Sequence, residues 1–183
     1  MFFNRQSVTG PRIFNFFKDL RANEASLLPV GVAGFCWGGL WTTKLCADIE
    51  KTPDGRSLID AGFTAHPSML TVPADIEMVK LPLSIANGTK DFQLTPPLME
   101  QVKEIFARKD NCELVVFDGA KHGFAIRSNP NDEREKKQEL GKLGSISDTS
   151  GTARCIIDSL TDAEDQAISW FNKWFSKGAR PRL

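Results

Sequence analysis

Neither sign of charge is in excess: Lys plus Arg total 23 and Asp plus Glu total 23 in a chain of 183 residues. Without surplus cations there is nothing to neutralise a row of phosphates or to hold an anionic bilayer surface, which argues against nucleic-acid and membrane partners. Long apolar runs are missing too. Nowhere do ~18 apolar residues follow one another, and Met1-Phe2-Phe3-Asn4-Arg5-Gln6 lacks the apolar core of a signal peptide. The expectation is a cytoplasmic protein. Metal-ligand spacing is also absent: Cys36, Cys46, Cys112 and Cys155 form no Cys-x-x-Cys pair, and only His66 and His122 could join them. No metal site is expected, and the cysteines read as free thiols of a reducing compartment.

What is present is ordinary globular composition, 41% hydrophobic and 25% charged, enough for a single domain over residues 1–183. Pro11 to Leu27 carries Ile13, Phe16, Phe17 and Leu20 at helical spacing, with Pro11 suited to the first turn. Leu28 to Phe35 is a short apolar run ending in Gly and Phe, and Gly38 to Glu50 returns to helical period through Trp41, Leu45 and Ile49. The alternation continues. Asp60 to Ala65, Pro82 to Ala86 and Glu113 to Phe117 read as strands, with a helix over Leu98 to Lys109. Strands alternating with helices imply an α/β fold with a mostly parallel sheet flanked by helices. Thr161 with Glu164 forms a capping box for a last helix whose stripe is Ala167, Trp170, Phe171 and Trp174. Between them, residues 129–160 hold a charged run and then Gly, Ser and Thr, and read as an irregular surface insert.

One motif carries chemistry. Gly34-Phe35-Cys36-Trp37-Gly38-Gly39 lies between a buried strand and a helix, where a G-x-[nucleophile]-x-G turn lifts the central side chain above the sheet. Gly34, Cys36 and Gly38 fit that pattern. The start of the next helix favours a thiolate at Cys36. The competing reading is a buried, inert cysteine in a glycine-rich turn.

Two further residues follow predicted strands, where a parallel sheet presents its functional groups. Asp91 ends Asn87-Gly88-Thr89-Lys90-Asp91, and His122 sits in Gly119-Ala120-Lys121-His122-Gly123. In the order nucleophile, acid, histidine, His122 is the candidate base and Asp91 the group that fixes its tautomer. Taken singly, each is more readily a turn residue or a structural histidine, and it is the ordered trio that reverses the balance. Asp118 is a rival acid, but it is separated from His122 by only 122 − 118 = 4 positions of the same connection. His66, in Thr64-Ala65-His66-Pro67-Ser68, ends a strand and is a candidate for the pocket mouth, with a structural role as the alternative.

Together, the 34–39 motif, Ala65-His66-Pro67-Ser68, Gly88-Thr89-Lys90-Asp91 and Lys121-His122-Gly123-Phe124-Ala125 resemble the dienelactone hydrolase family, most nearly its fungal branch. The resemblance implies an α/β-hydrolase fold and cleavage of a small-molecule lactone or ester through Cys36, Asp91 and His122. It implies no metal and no organic cofactor. It also implies Trp37 as an oxyanion-hole donor and Arg127 as the cation that meets a substrate carboxylate.

Family members resemble one another over a longer stretch before the nucleophile, whereas a single helix precedes it here. The expectation is a partial α/β-hydrolase domain lacking the N-terminal strands, with the nucleophile strand at an open edge suited to self-association. The second oxyanion donor then has no evident source. Residues 141–160 resemble translated non-coding sequence as much as a loop. Two other readings follow: a truncated, non-catalytic interaction protein, and a chain in which Cys36 is a redox-sensitive thiol.

Overall fold

The computed structural model describes residues 5–127 and 154–178. In chain order the elements are α1 (Gln6–Ala22), β1 (Gly31–Phe35), α2 (Trp37–Cys46), β2 (Ala61–Ala65), α3 (Ala74–Glu77), β3 (Leu83–Lys90), α4 (Pro96–Phe106), β4 (Cys112–Lys121), α5 (Phe124–Arg127) and α6 (Arg154–Gly178). The strands pair in parallel in the order β1-β2-β3-β4. Among the described residues, β1 therefore has a partner on one side only.

Parallel strands covered on both faces read as continuous apolar runs, and β2 is buried at every position. One face carries α1, α2, α3 and α4 around Leu45, Ile59, Ile76, Leu83, Ile85 and Val102. Close approach is built in there, since a Cβ on Gly62 would lie 2.5 Å from the Cys46 sulfur of α2. The other face carries α6 over Phe63, Ala65, Ala86 and Phe117. Gly31 lets α6 sit on β1, because a Cβ there would meet the Phe171 ring at 2.6 Å. Gln166 ties the same helix to β3, donating to the Ser84 hydroxyl at 2.8 Å.

Several local expectations are corrected. The first helix starts five residues before Pro11 and ends at Ala22, so Pro11 sits inside it rather than in its first turn. Phe14 and Phe17 form its buried stripe while Phe16 is 59% exposed, because positions 10, 14, 17 and 21 share the inner face. Arg21 completes that face: its guanidinium donates to the carbonyls of Leu28 and Leu58 and to the Asp60 carboxylate. Ile49 lies beyond the end of α2 and is exposed. Thr161 and Glu164 are not a helix start, since α6 begins at Arg154 and residues 154–160 of the stretch expected to be irregular are helical. The reason is visible in the spacing, because Ile157 and Leu160 extend the stripe of Ala163, Ala167 and Trp170 upstream. The stretch 128–153 lies outside the described residues. Among those described, no helix is long and apolar enough to cross a membrane, and no cluster of His, Cys, Asp or Glu could hold a metal ion.

Candidate active site

The site forms at the C-terminal ends of the strands, where the backbone leaves the sheet. At the end of β1 the chain turns through Cys36 with φ 52 and ψ −118. A left-handed conformation at a non-glycine residue costs about 1–3 kcal/mol and holds the side chain up, out of the sheet. Gly34 makes the turn possible: a Cβ there would lie 2.2 Å from the Thr42 hydroxyl and 2.4 Å from the Gly38 carbonyl oxygen. The second essential glycine is not the one expected. A Cβ on Gly38 would meet nothing within 4 Å, whereas one on Gly39 would lie 2.4 Å from the Thr64 hydroxyl and 2.7 Å from the Pro67 Cβ. Gly39 faces the end of β2, and Gly38 faces open space.

Asp91 follows β3 directly and is buried. Its Oδ1 accepts the backbone N–H groups of Gln93 at 2.7 Å and Leu94 at 3.3 Å. The loop that supplies them is pinned by Asn87, whose side-chain amide donates to the Leu94 carbonyl at 2.8 Å. His122 follows β4, and its Nδ1 lies 3.0 Å from Asp91 Oδ2 and 3.2 Å from Oδ1. A carboxylate only accepts, so Nδ1 carries a proton, and Nε2 accepts from the Cys36 thiol or, once the sulfur is ionised, holds its proton and donates back. Nε2 lies 3.2 Å from Cys36 Sγ. The three residues singled out from the sequence thus form one hydrogen-bonded chain. Asp118 is turned elsewhere, accepting from the Thr89 hydroxyl at 2.9 Å.

Burial opposes ionisation of Cys36 most strongly. Hydrogen bonds from His122, then from Ser68 and the Trp37 backbone N–H, and the charge of the imidazole outweigh it, so the thiol sits below its ordinary value. The remaining described thiols move the other way. Burial pushes Cys112 up to about 11 and raises Cys46 still further.

His66 is not at a mouth. It is fully buried at the end of β2, an inner strand of the sheet. Its ring lies against Phe35, Phe124 and His122, edge-on to the last with ring centroids 5.0 Å apart. That leaves it no surface to offer a substrate; it backs the His122 ring. Arg127 is the last residue of α5, and its side chain lies outside the described residues.

Two neighbours escaped the sequence reading. Ser68 places its hydroxyl 3.6 Å from Cys36 Sγ. Phe92 lies against the His122 ring with centroids 4.9 Å apart, and is 70% exposed. The only hint of either was adjacency: Ser68 belongs to the His66 segment, and Phe92 follows the candidate acid.

Comparison with known proteins bears on the family and the fold. The family model described as the dienelactone hydrolase family matches residues 11–146. Hydrolase pyvD of Aspergillus violaceofuscus is 25% identical over 149 residues, covering 81% of this chain and 49% of that protein. Among solved structures, the dienelactone hydrolase-like promiscuous phosphotriesterase P91 from metagenomic libraries aligns with a TM-score of 0.51 at 20% identity, covering 80% of this chain and 52% of that one. Thermogutta terrifontis esterase 2, phosphorylated by paraoxon, aligns with a TM-score of 0.53 at 21% identity, covering 74% and 64%. Those two similarities establish the fold, which is that of the α/β-hydrolases. The chain spans about half the length of the relatives it matches.

Proposed function

Because the chain belongs to the dienelactone hydrolase family, we propose that it cleaves a small lactone or carboxylic ester with Cys36 as nucleophile, His122 as base and Asp91 as the group that orients it. The observation that carries this reading is the continuous hydrogen-bonded chain from Asp91 through the His122 ring to the Cys36 sulfur.

The chemistry follows from the geometry. The Cys36 sulfur attacks the substrate carbonyl carbon, and its proton resides on His122 Nε2. The carbonyl oxygen gains the displaced electron pair, and the Trp37 backbone N–H is proposed to donate to it. Collapse breaks the ester C–O bond, and His122 returns its proton to the leaving alkoxide. Water then attacks the thioester while His122 takes its proton, and the C–S bond breaks with its electrons returning to sulfur. Asp91 offsets the imidazolium charge in both halves. Arg127, at the end of α5, is proposed to meet a carboxylate on the substrate.

Time-dependent cleavage of a chromogenic ester tests the reading. Cys36→Ala and His122→Ala should each abolish turnover, and unchanged turnover in both refutes it. One observation favours a second reading. The outer side of β1 is unpaired among the described residues, and an open edge there suits a non-catalytic interaction protein. An active, monodisperse monomer counts against that alternative.

A further inference from the structure

The triad does not account for the way the chain leaves β2. Two non-glycine residues there adopt left-handed backbone, His66 at φ 41 and Met69 at φ 62. Strain of this kind persists only where the surroundings over-determine it, and it gathers at functional positions. Between them, Pro67 packs against Gly39, and the Ser68 N–H donates to the Cys36 carbonyl at 2.9 Å. The Met69 N–H reaches Gln93 Oε1 at 3.4 Å, two residues beyond Asp91. The segment is thus fastened to the nucleophile turn on one side and to the loop of the acid on the other. What it delivers is one buried hydroxyl, Ser68 Oγ, 3.6 Å from Cys36 Sγ.

We infer that Ser68 is a further catalytic residue, whose hydroxyl donates to the Cys36 sulfur and holds the thiolate for attack. The inference rests on the Cys-His-Asp reading above. A hydroxyl can donate or accept, but an anionic sulfur only accepts, so the bond strengthens as the thiol loses its proton. It weakens when the sulfur becomes a thioester, which carries no charge. It strengthens again as the C–S bond breaks during hydrolysis of that thioester and the electron pair returns to sulfur. Ser68 therefore favours both ends of the cycle over the acyl-enzyme between them. The charged and titratable groups that reach this sulfur are His122 from the end of β4 and, behind it, Asp91 from the end of β3. Ser68 comes from β2 and is uncharged, so it adds a donor without adding a second proton to titrate.

The test needs no substrate. Alkylation of Cys36 by iodoacetamide is followed by peptide mass spectrometry in the full chain across the pH range in which thiols ionise, for the native protein, Ser68→Ala, Ser68→Thr and His122→Gln. In Ser68→Ala the midpoint should rise by about one pH unit, which slows alkylation about tenfold well below it. The plateau at high pH should rise about threefold, because a more basic thiolate is the better nucleophile. Ser68→Thr, which keeps the hydroxyl, should stay near the native midpoint. A Ser68→Ala profile that superimposes on the native one overturns the proposal, as does an equal shift in Ser68→Thr. If His122→Gln moves the midpoint while Ser68→Ala does not, the triad stands and the role of Ser68 falls. If neither moves it, both fall. Should Ser68→Ala lose its fold, the pair Ser68→Thr and Ser68→Val, matched in shape and differing in the hydroxyl, decides the question in the same way.

Discussion

Gly88 and Ala120 bring the Asp91 and His122 segments together: a Cβ on Gly88 would lie 2.1 Å from the Ala120 carbonyl oxygen. Gly88 precedes Asp91 by three positions and Ala120 precedes His122 by two, so the contact between β3 and β4 sets the spacing of the two functional side chains. The register shifts between Gly88 and Lys90, and Lys90 then pairs with Lys121. There β4 advances from Phe117 to Lys121 while β3 advances from Gly88 to Lys90, an irregularity that lies directly before His122 and Asp91.

Gly88→Ala should therefore damage stability and site together. The added methyl meets backbone, which cannot rotate away, and overpacking of this kind typically costs about 1–3 kcal/mol. Urea unfolding should show a lower midpoint with an unchanged slope, and whatever ester turnover the native chain has should fall with it. A native-like midpoint would show that β3 and β4 can separate freely, contrary to the contact described.

Cys36 should be the first of the described thiols to react. Its value lies below the ordinary one, whereas Cys112 is raised to about 11 and Cys46 is raised by complete burial. For a depressed thiol the reactive thiolate predominates above the folded value and is lost as pH falls through it, so labelling at neutral pH reports Cys36 selectively. A thiol at 11 is only about 0.1% ionised at pH 8. Brief iodoacetamide treatment at pH 7 followed by peptide mapping should find Cys36 modified with Cys46 and Cys112 intact. Faster labelling of Cys112 would contradict the assignment.

The strands were legible because an inner strand of a parallel sheet is mostly apolar, as in Leu83-Ser84-Ile85-Ala86 and its neighbours. Cys36, Asp91 and His122 were legible because each directly follows a strand. Arg21 was not: a cation one turn beyond Phe17 looks like a solvated residue until the carbonyls of Leu28 and Leu58 and the Asp60 carboxylate converge on it. Thr161 and Glu164 obeyed a local capping rule that lost to the longer apolar stripe of α6. His66 and Asp91 both directly follow strands and are both buried, and what separates them is their partners: His66 packs against Phe35, Phe124 and His122, whereas Asp91 is hydrogen-bonded to His122 Nδ1. Such differences arise from which side chains meet at a strand end, and no local pattern encodes that.

Asp91 and Asp118 both lie at strand ends near His122, and substitution should separate them sharply. Asp91→Asn can donate to Nδ1, which places the imidazole proton on Nε2 and removes the acceptor facing Cys36. Turnover should fall by about 10²- to 10⁴-fold with the fold intact. Asp118→Asn keeps an oxygen for the Thr89 hydroxyl that it accepts, and turnover should remain within about twofold of native, as for surface changes away from a site. Steady-state ester hydrolysis with circular dichroism as the control measures both. Equal losses in the two variants would remove the distinction drawn from geometry.

Phe92 presents a mostly exposed ring beside the imidazole, an apolar face that the proposed ester would meet on reaching His122. Burying part of such a ring against a substrate is worth about 1 kcal/mol, a several-fold effect on binding. Phe92→Ala should therefore raise KM by about three- to tenfold for esters with a bulky apolar group and change it little for an acetyl ester of a small alcohol, with kcat nearly unchanged for both. The ring also shields one side of His122, and the two contributions separate in the kinetics. A loss carried by kcat and equal for both esters would mean that Phe92 holds the imidazole in place and takes no part in recognition.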